Sequence, residues 1–119
     1  MDAIGNEIGP APLELSRSNN GDGRACLEAA GEIDISNLDR LRETVSAILA
    51  EPQVTELTLD FGALDFIDSS GVEVIMGAKQ VADRRGVAYC LINAHGKVQR
   101  VLAILGIDKV LAPTEQRQP

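Results

Sequence analysis

The sequence predicts one α/β domain, a mixed and mostly parallel β-sheet that opens with an N-terminal hairpin and has helices packed against it. Three observations carry this. A chain of 119 residues and 12.7 kDa holds one core and is too short for two ordinary ones. With 45% apolar and 24% charged residues and a mean hydropathy of +0.01, it has the composition of a folded, soluble protein. After two opening extended runs, segments with a helical period alternate with segments of period two, the pattern of strands joined by helical crossovers.

Residues 1–12 mix Gly, Pro, Asn and Ala without either period and read as a flexible tail, as does Pro-Thr-Glu-Gln-Arg-Gln-Pro at 113–119; the domain occupies 13–112. Leu13 to Arg17 alternates weakly. Asn19-Asn20-Gly21-Asp22-Gly23 then tolerates positive φ, and Arg24 to Ile33 is a second extended run, so the pair predicts a hairpin. Ser36 offers an N-cap with Asp39 three residues on, and Leu38, Leu41, Val45, Ile48 and Leu49 recur at helical spacing until Pro52. In Val54 to Phe61, Leu57, Leu59 and Phe61 share one face while Glu56, Thr58 and Asp60 share the other, which predicts a strand. A short connection, Gly62 to Asp68, leads into a helix from Ser69 whose Val72–Ala78 stretch is apolar enough to need cover on most sides. Lys79, Asp83, Arg84 and Arg85 return that helix to water, and Gly86 stops it. Val87 to Ile92 predicts a short strand buried on both faces. Val98, Val101, Leu102 and Leu105 mark a third helix ending at Gly106, and Lys109-Val110-Leu111 predicts a last short strand. The expected order is β-β-α-β-α-β-α-β with right-handed crossovers.

Charge and composition exclude several functions. The net charge of -7 repels nucleic-acid phosphates and anionic membrane surfaces, so neither direct nucleic-acid binding nor membrane insertion is expected. The acidity lies in the first half: residues 1–60 hold 12 acidic and 4 basic side chains, residues 61–119 hold 6 and 7. Phe61, Phe66 and Tyr89 are the only aromatic residues, too few for a base-stacking platform. Cys26, Cys90 and His95 have no metal-ligand spacing, and the cysteines read as buried thiols of a reducing compartment. No leader or membrane-length apolar run is apparent, so the expected location is the cytoplasm. No phosphate-binding Gly-rich loop ending in Lys is present, and no cofactor is expected.

One stretch stands out, Leu64-Asp65-Phe66-Ile67-Asp68-Ser69-Ser70-Gly71, which places two hydroxyls and a carboxylate where a helix begins. On local pattern, Asp68, Ser69 or Ser70 simply caps the helix. A functional reading keeps the cap and adds exposure, because free amides and the helix dipole favour an anion there. A serine hydrolase would want Gly-x-Ser-x-Gly, and the letters here lack the first glycine. His95 has no paired nucleophile and reads as a loop histidine with a local hydrogen bond. Asp60 and Asp65 follow a strand as in a phospho-aspartate receiver, but the opening hairpin is foreign to that fold. The chain reads as a binding protein, not an enzyme.

Asp68-Ser69-Ser70-Gly71, following Leu59-Asp60-Phe61 and Phe66-Ile67, together with Gly31-Glu32-Ile33-Asp34, resembles the STAS domain of bacterial anti-sigma factor antagonists, over about residues 13–112. The resemblance implies a STAS-like fold and a protein-binding switch. Unmodified, such a domain binds an anti-sigma factor with serine kinase activity and frees a sigma factor; phosphorylated on serine it lets go, and a phosphatase resets it. Only the resemblance selects Ser69 over Ser70 as the phosphorylated residue, and it places Asp34 beside the site. Asp34, Asp68, Ser70, Gly71 and Glu73 are the expected partner-binding residues, with Gly71 letting a partner's backbone approach. Glu73 departs from the small residue frequent in the family and adds a carboxylate that suits a basic partner. The competing expectation is a constitutive STAS scaffold, as in a lipid-transport ATPase or a stress-signalling assembly.

Overall fold

A computed structural model of the chain describes residues 11–113. Apart from positions 11, 12 and 113, the expected tails lie outside the described residues. The elements are β1 (Leu13–Asn19), β2 (Arg24–Ile33), α1 (Leu38–Leu49), β3 (Glu56–Ile67), α2 (Ser69–Arg85), β4 (Ala88–Ile92) and α3 (Gly96–Ile104). The sheet order is β1-β2-β3-β4. β1 pairs antiparallel to β2 as the hairpin required, and β2, β3 and β4 run parallel.

One face of this sheet carries the core. Leu27 and Ile33 of β2, Leu57, Leu59, Phe61, Leu64 and Ile67 of β3, and Tyr89 and Leu91 of β4 are buried with Leu41, Val45, Ile48 and Leu49 of α1 and Val72, Ile75 and Ala82 of α2. The Tyr89 hydroxyl, the polar atom most deeply set in this layer, donates to the Ile75 carbonyl at 3.0 Å. On the other face, Cys26, Thr58 and Cys90 form one row across three strands, with Thr58 Oγ1 and Cys90 Sγ 3.5 Å apart. Both cysteines are half-buried rather than buried as expected, because this face of the sheet is only partly covered.

Three other expectations change. β3 does not end at Phe61; it continues to Ile67 through two irregularities opposite β2, each adding one residue to β3, so the buried positions step from every second residue to every third, Phe61, Leu64 and Ile67. The Lys109–Leu111 segment forms turns, not a strand, and meets the sheet where Leu91 N–H donates to the Leu111 carbonyl at 2.8 Å. Of the Val72–Ala78 stretch only Val72 and Ile75 are buried; Met76 is half-buried, as are Val74 and Ala78, which line the seam between α1 and α2. The α2 boundaries agree with the sequence reading, with Gly86 in the left-handed conformation at φ 72° closing the helix.

Two glycines hold close approaches that bear on the site. Gly31 has φ 106°, and a Cβ there would lie 2.3 Å from the Pro12 carbonyl oxygen. Gly71, in the first turn of α2, is buried, and a Cβ on it would lie 2.7 Å from Ile33 and 2.8 Å from Ile67 side-chain carbons. The room at Gly71 therefore serves the domain's own β2–β3–α2 packing, which corrects the expectation that it admits a partner's backbone.

Candidate functional site

The carboxyl ends of β2 and β3 deliver two loops side by side. Asp68 N–H donates to the Ile33 carbonyl at 3.2 Å, tying the start of α2 to the end of β2. Asp68 is the N-cap of α2: its Oδ1 accepts from Gly71 N–H at 3.1 Å and from the Ser70 hydroxyl at 2.6 Å. Burial acts to raise the Asp68 pKa, but the Ser70 hydroxyl and the backbone amides of Gly71, Ser70 and Ile35 outweigh it, and the carboxyl lies below its ordinary range. The Gly71 amide is thus already engaged by a carboxylate, rather than free for another anion as the sequence reading assumed.

The two serines differ in consequence. Ser70 is half-buried and its hydroxyl is committed to Asp68. Ser69, the first residue of α2, is exposed and its hydroxyl bonds to no other described residue.

The neighbouring loop, 34–37, is held by side chains. Asp34 is half-buried and its Oδ1 accepts from Ser36 N–H at 2.9 Å and from the Ser36 hydroxyl at 2.5 Å. Ser36 does not cap α1; Asn37 occupies that position, and its side chain turns inward instead of capping the helix. Asn37 is 4% exposed, accepts from Asp34 N–H at 3.1 Å, and donates to the Glu32 carbonyl at 2.9 Å and the Ala11 carbonyl at 3.0 Å. Sequence reasoning passed over this residue; an asparagine immediately before the first helical leucine was the available signal. Asp34 lies in the loop that follows β2, tied to the α2 cap by the bond from Asp68 N–H to the Ile33 carbonyl, and its carboxylate faces Ser36.

Glu73 is exposed on α2 and, with Ser70, lines a groove of about 430 Å³ between α1 and α2, which Val45, Leu49, Val74 and Ala78 and the cations Arg42 and Arg85 also line. Asp65 is exposed near the end of β3. No Lys or Arg occurs between Arg24 and Arg40 or between Arg42 and Lys79, the two segments that supply both loops, so no cation from them sits beside Ser69.

Elsewhere, His95 Nε2 lies 3.0 Å from the Gly62 carbonyl, a contact to β3 across 33 positions of sequence rather than the local bond expected of it. Among the described residues no cluster of three or more His, Cys, Asp or Glu side chains could hold a metal ion, and no helix is long and apolar enough to cross a membrane.

Comparison with known proteins follows the same outline. Residues 17–117 match the STAS domain family. A relative named anti-sigma F factor antagonist, from Paenibacillus polymyxa, is 27% identical over 82 residues, which are 69% of this chain and 70% of that protein. The crystal structure of an anti-sigma factor antagonist from Mycobacterium paratuberculosis superposes with a TM-score of 0.76 at 19% identity, covering 89% of this chain and 90% of the other. The anti-sigma factor antagonist SpoIIAA in its unphosphorylated form gives 0.72 at 21% identity, covering 87% and 92%. The Bacillus cell fate determinant SpoIIAA in its phosphorylated form gives 0.67 at 20% identity, covering 87% and 96%. At these identities the superpositions establish the shared fold.

Proposed function

This chain belongs to the STAS domain family, and on that premise we propose that it is an anti-sigma factor antagonist, a regulator rather than an enzyme, working by reversible protein binding in the cytoplasm. Unmodified, it binds an anti-sigma factor of the serine-kinase type and so releases a sigma factor. Phosphate on Ser69 ends the binding, and a phosphatase restores it. The relatives named as anti-sigma factor antagonists support the activity. The observation that carries the switch is the contrast between the two serines: Ser69 offers an exposed, uncommitted hydroxyl, while Ser70 is spent on Asp68.

In the transfer, Ser69 Oγ attacks the γ-phosphorus of the partner's ATP, the bond to the β-phosphate oxygen breaks to leave ADP, and the hydroxyl proton passes to a base of the partner. The product gains about -1.5 to -2 charge at neutral pH. It finds the Gly71 amide already engaged by Asp68, no Lys or Arg in either flanking segment, and ADP phosphates opposite. Repulsion and bulk then eject the partner without refolding the domain. A loss of about 3 kcal/mol weakens binding more than a hundredfold.

The test incubates the chain with purified serine-kinase anti-sigma factors of the source organism, ATP and Mg²⁺, followed by intact mass and site mapping. One phosphate on Ser69, tight binding by Ser69→Ala and weak binding by Ser69→Asp are expected. Equal affinities of the two variants remove the switch; tight binding with no phosphate transferred supports the constitutive scaffold instead.

A further inference from the structure

We propose that Ile35 is an apolar anchor that seats in a socket on the anti-sigma partner, a socket rimmed by basic side chains. The inference rests on the reading that the Ser69 end of the domain is its binding face. Among the described residues five large apolar side chains are exposed, and Ile35, at 79%, is the most exposed of them. It belongs to the loop beside Ser69, and Phe66, 38% exposed, lies on the strand end that leads into the same helix. The core makes no use of the Ile35 side chain. Its exposure serves nothing inside the fold, and burying such a side chain against a partner is worth roughly 1.5–3 kcal/mol.

The backbone that displays it is fixed. Asp34 accepts from Ser36 N–H and hydroxyl, Asn37 locks Asp34 N–H, and the Ile33 carbonyl two residues before Ile35 accepts from Asp68 N–H at 3.2 Å. An anchor held in place before binding loses little conformational freedom on docking, which separates a binding residue from a merely exposed one. The bond between Asp68 N–H and the Ile33 carbonyl also ties the loop that carries the anchor to the cap of the helix that bears Ser69. One partner face can therefore grip Ile35 and reach Ser69 together.

The surroundings specify the chemistry of that face. Asp65 and Glu73 are exposed, Glu32 and Asp34 are half-buried, and neither contributing segment contains Lys or Arg. The nearby cations belong to α1, where Arg42 is paired with Asp39 and Arg40 donates to the Leu13 carbonyl, so the two segments leave an excess of carboxylates that basic side chains on a socket for Ile35 complement. Opposite Ser69 itself the partner presents nucleotide phosphates, so the same face attracts the unmodified domain and rejects the phosphorylated one.

The test uses the full chain and the same purified serine-kinase anti-sigma factors with ADP and Mg²⁺, titrated calorimetrically against wild type, Ile35→Ala and Ile104→Ala. Ile104, 75% exposed on α3, is the matched control. Ile35→Ala is expected to raise Kd roughly ten- to a hundredfold, with Ile104→Ala within about twofold of wild type. Thermal unfolding of both variants should match wild type, so lost binding is not lost fold. If Ile35→Ala binds like wild type, or Ile104→Ala loses as much, the anchor is overturned while the switch at Ser69 stands. Failure of the wild type to bind any of the partners overturns both.

Discussion

Asn37→Ala is the most exposing perturbation of the site's framework. The side chain is 4% exposed and makes three hydrogen bonds, accepting from Asp34 N–H and donating to the Glu32 and Ala11 carbonyls. A buried hydrogen bond contributes about 1 kcal/mol net, and a backbone group left without a partner costs about 1–3 kcal/mol. Some of the three freed groups regain water, so the expected loss is about 3 kcal/mol, a large share of a typical domain stability of about 5–15 kcal/mol. Asn37→Asp is the sharper variant. It keeps the acceptor for Asp34 N–H but replaces both donors with an anion aimed at two carbonyl oxygens, and should cost more than alanine at neutral pH. Urea unfolding followed by far-ultraviolet circular dichroism measures both, since the chain has no tryptophan. With m of about 1–3 kcal/mol/M, the alanine midpoint falls by about 1–3 M at unchanged m. Both variants within about 0.5 kcal/mol of wild type would refute the claim that Asn37 organises the loop.

Two predictions concern ionisation. The Asp68 carboxyl is held below its ordinary range by hydrogen bonds from Ser70, Gly71 and Ile35, so its contribution is fully present above the unfolded-state value of about 3.9 and is lost as pH falls through the folded value. Asp68→Ala should cost about 1 kcal/mol at neutral pH, and its deficit against wild type should shrink below about pH 4 in acid titrations of unfolding; a deficit independent of pH would contradict the assignment. Burial, then the Asp60 and Glu28 carboxylates, push the Cys26 thiol up, with a Ser18 hydrogen bond opposing them. Cys26 should alkylate more slowly than a free cysteine at neutral pH and accelerate as pH rises, read by peptide mapping. Cys26 and Cys90 flank Thr58 across β3, about 9.5 Å apart at two strand spacings and too far to bridge, so mild oxidation should yield no internal disulfide by intact mass.

The elements legible in the sequence were those whose pattern is local. Leu57, Leu59 and Phe61 alternate cleanly, Leu41, Val45, Ile48 and Leu49 keep one helical face, and Gly86 ends α2, because these signals depend on near neighbours alone. The second half of β3 was lost because two added residues change its burial step from two to three, and only pairing with β2 reveals Gly62–Ile67 as strand. Lys109–Leu111 has the letters of a strand, but the chain turns there instead of extending along β4. At the site, residue types and junction were readable: Asp68 caps, Ser69 is exposed and Glu73 faces solvent.

The sequence by itself determined the class of fold, the acidic character of the first half and the place where a serine begins a helix, since composition and period are properties of the chain read in order. Tertiary structure alone decided which hydroxyl is spent and which is free, that Gly71 serves internal packing, that Asn37 pins the loop after β2, and that Asp68 ties to Ile33. Those outcomes depend on β2 and β3 ending side by side, which brings residues over thirty positions apart within hydrogen-bonding reach; no local pattern encodes that distance.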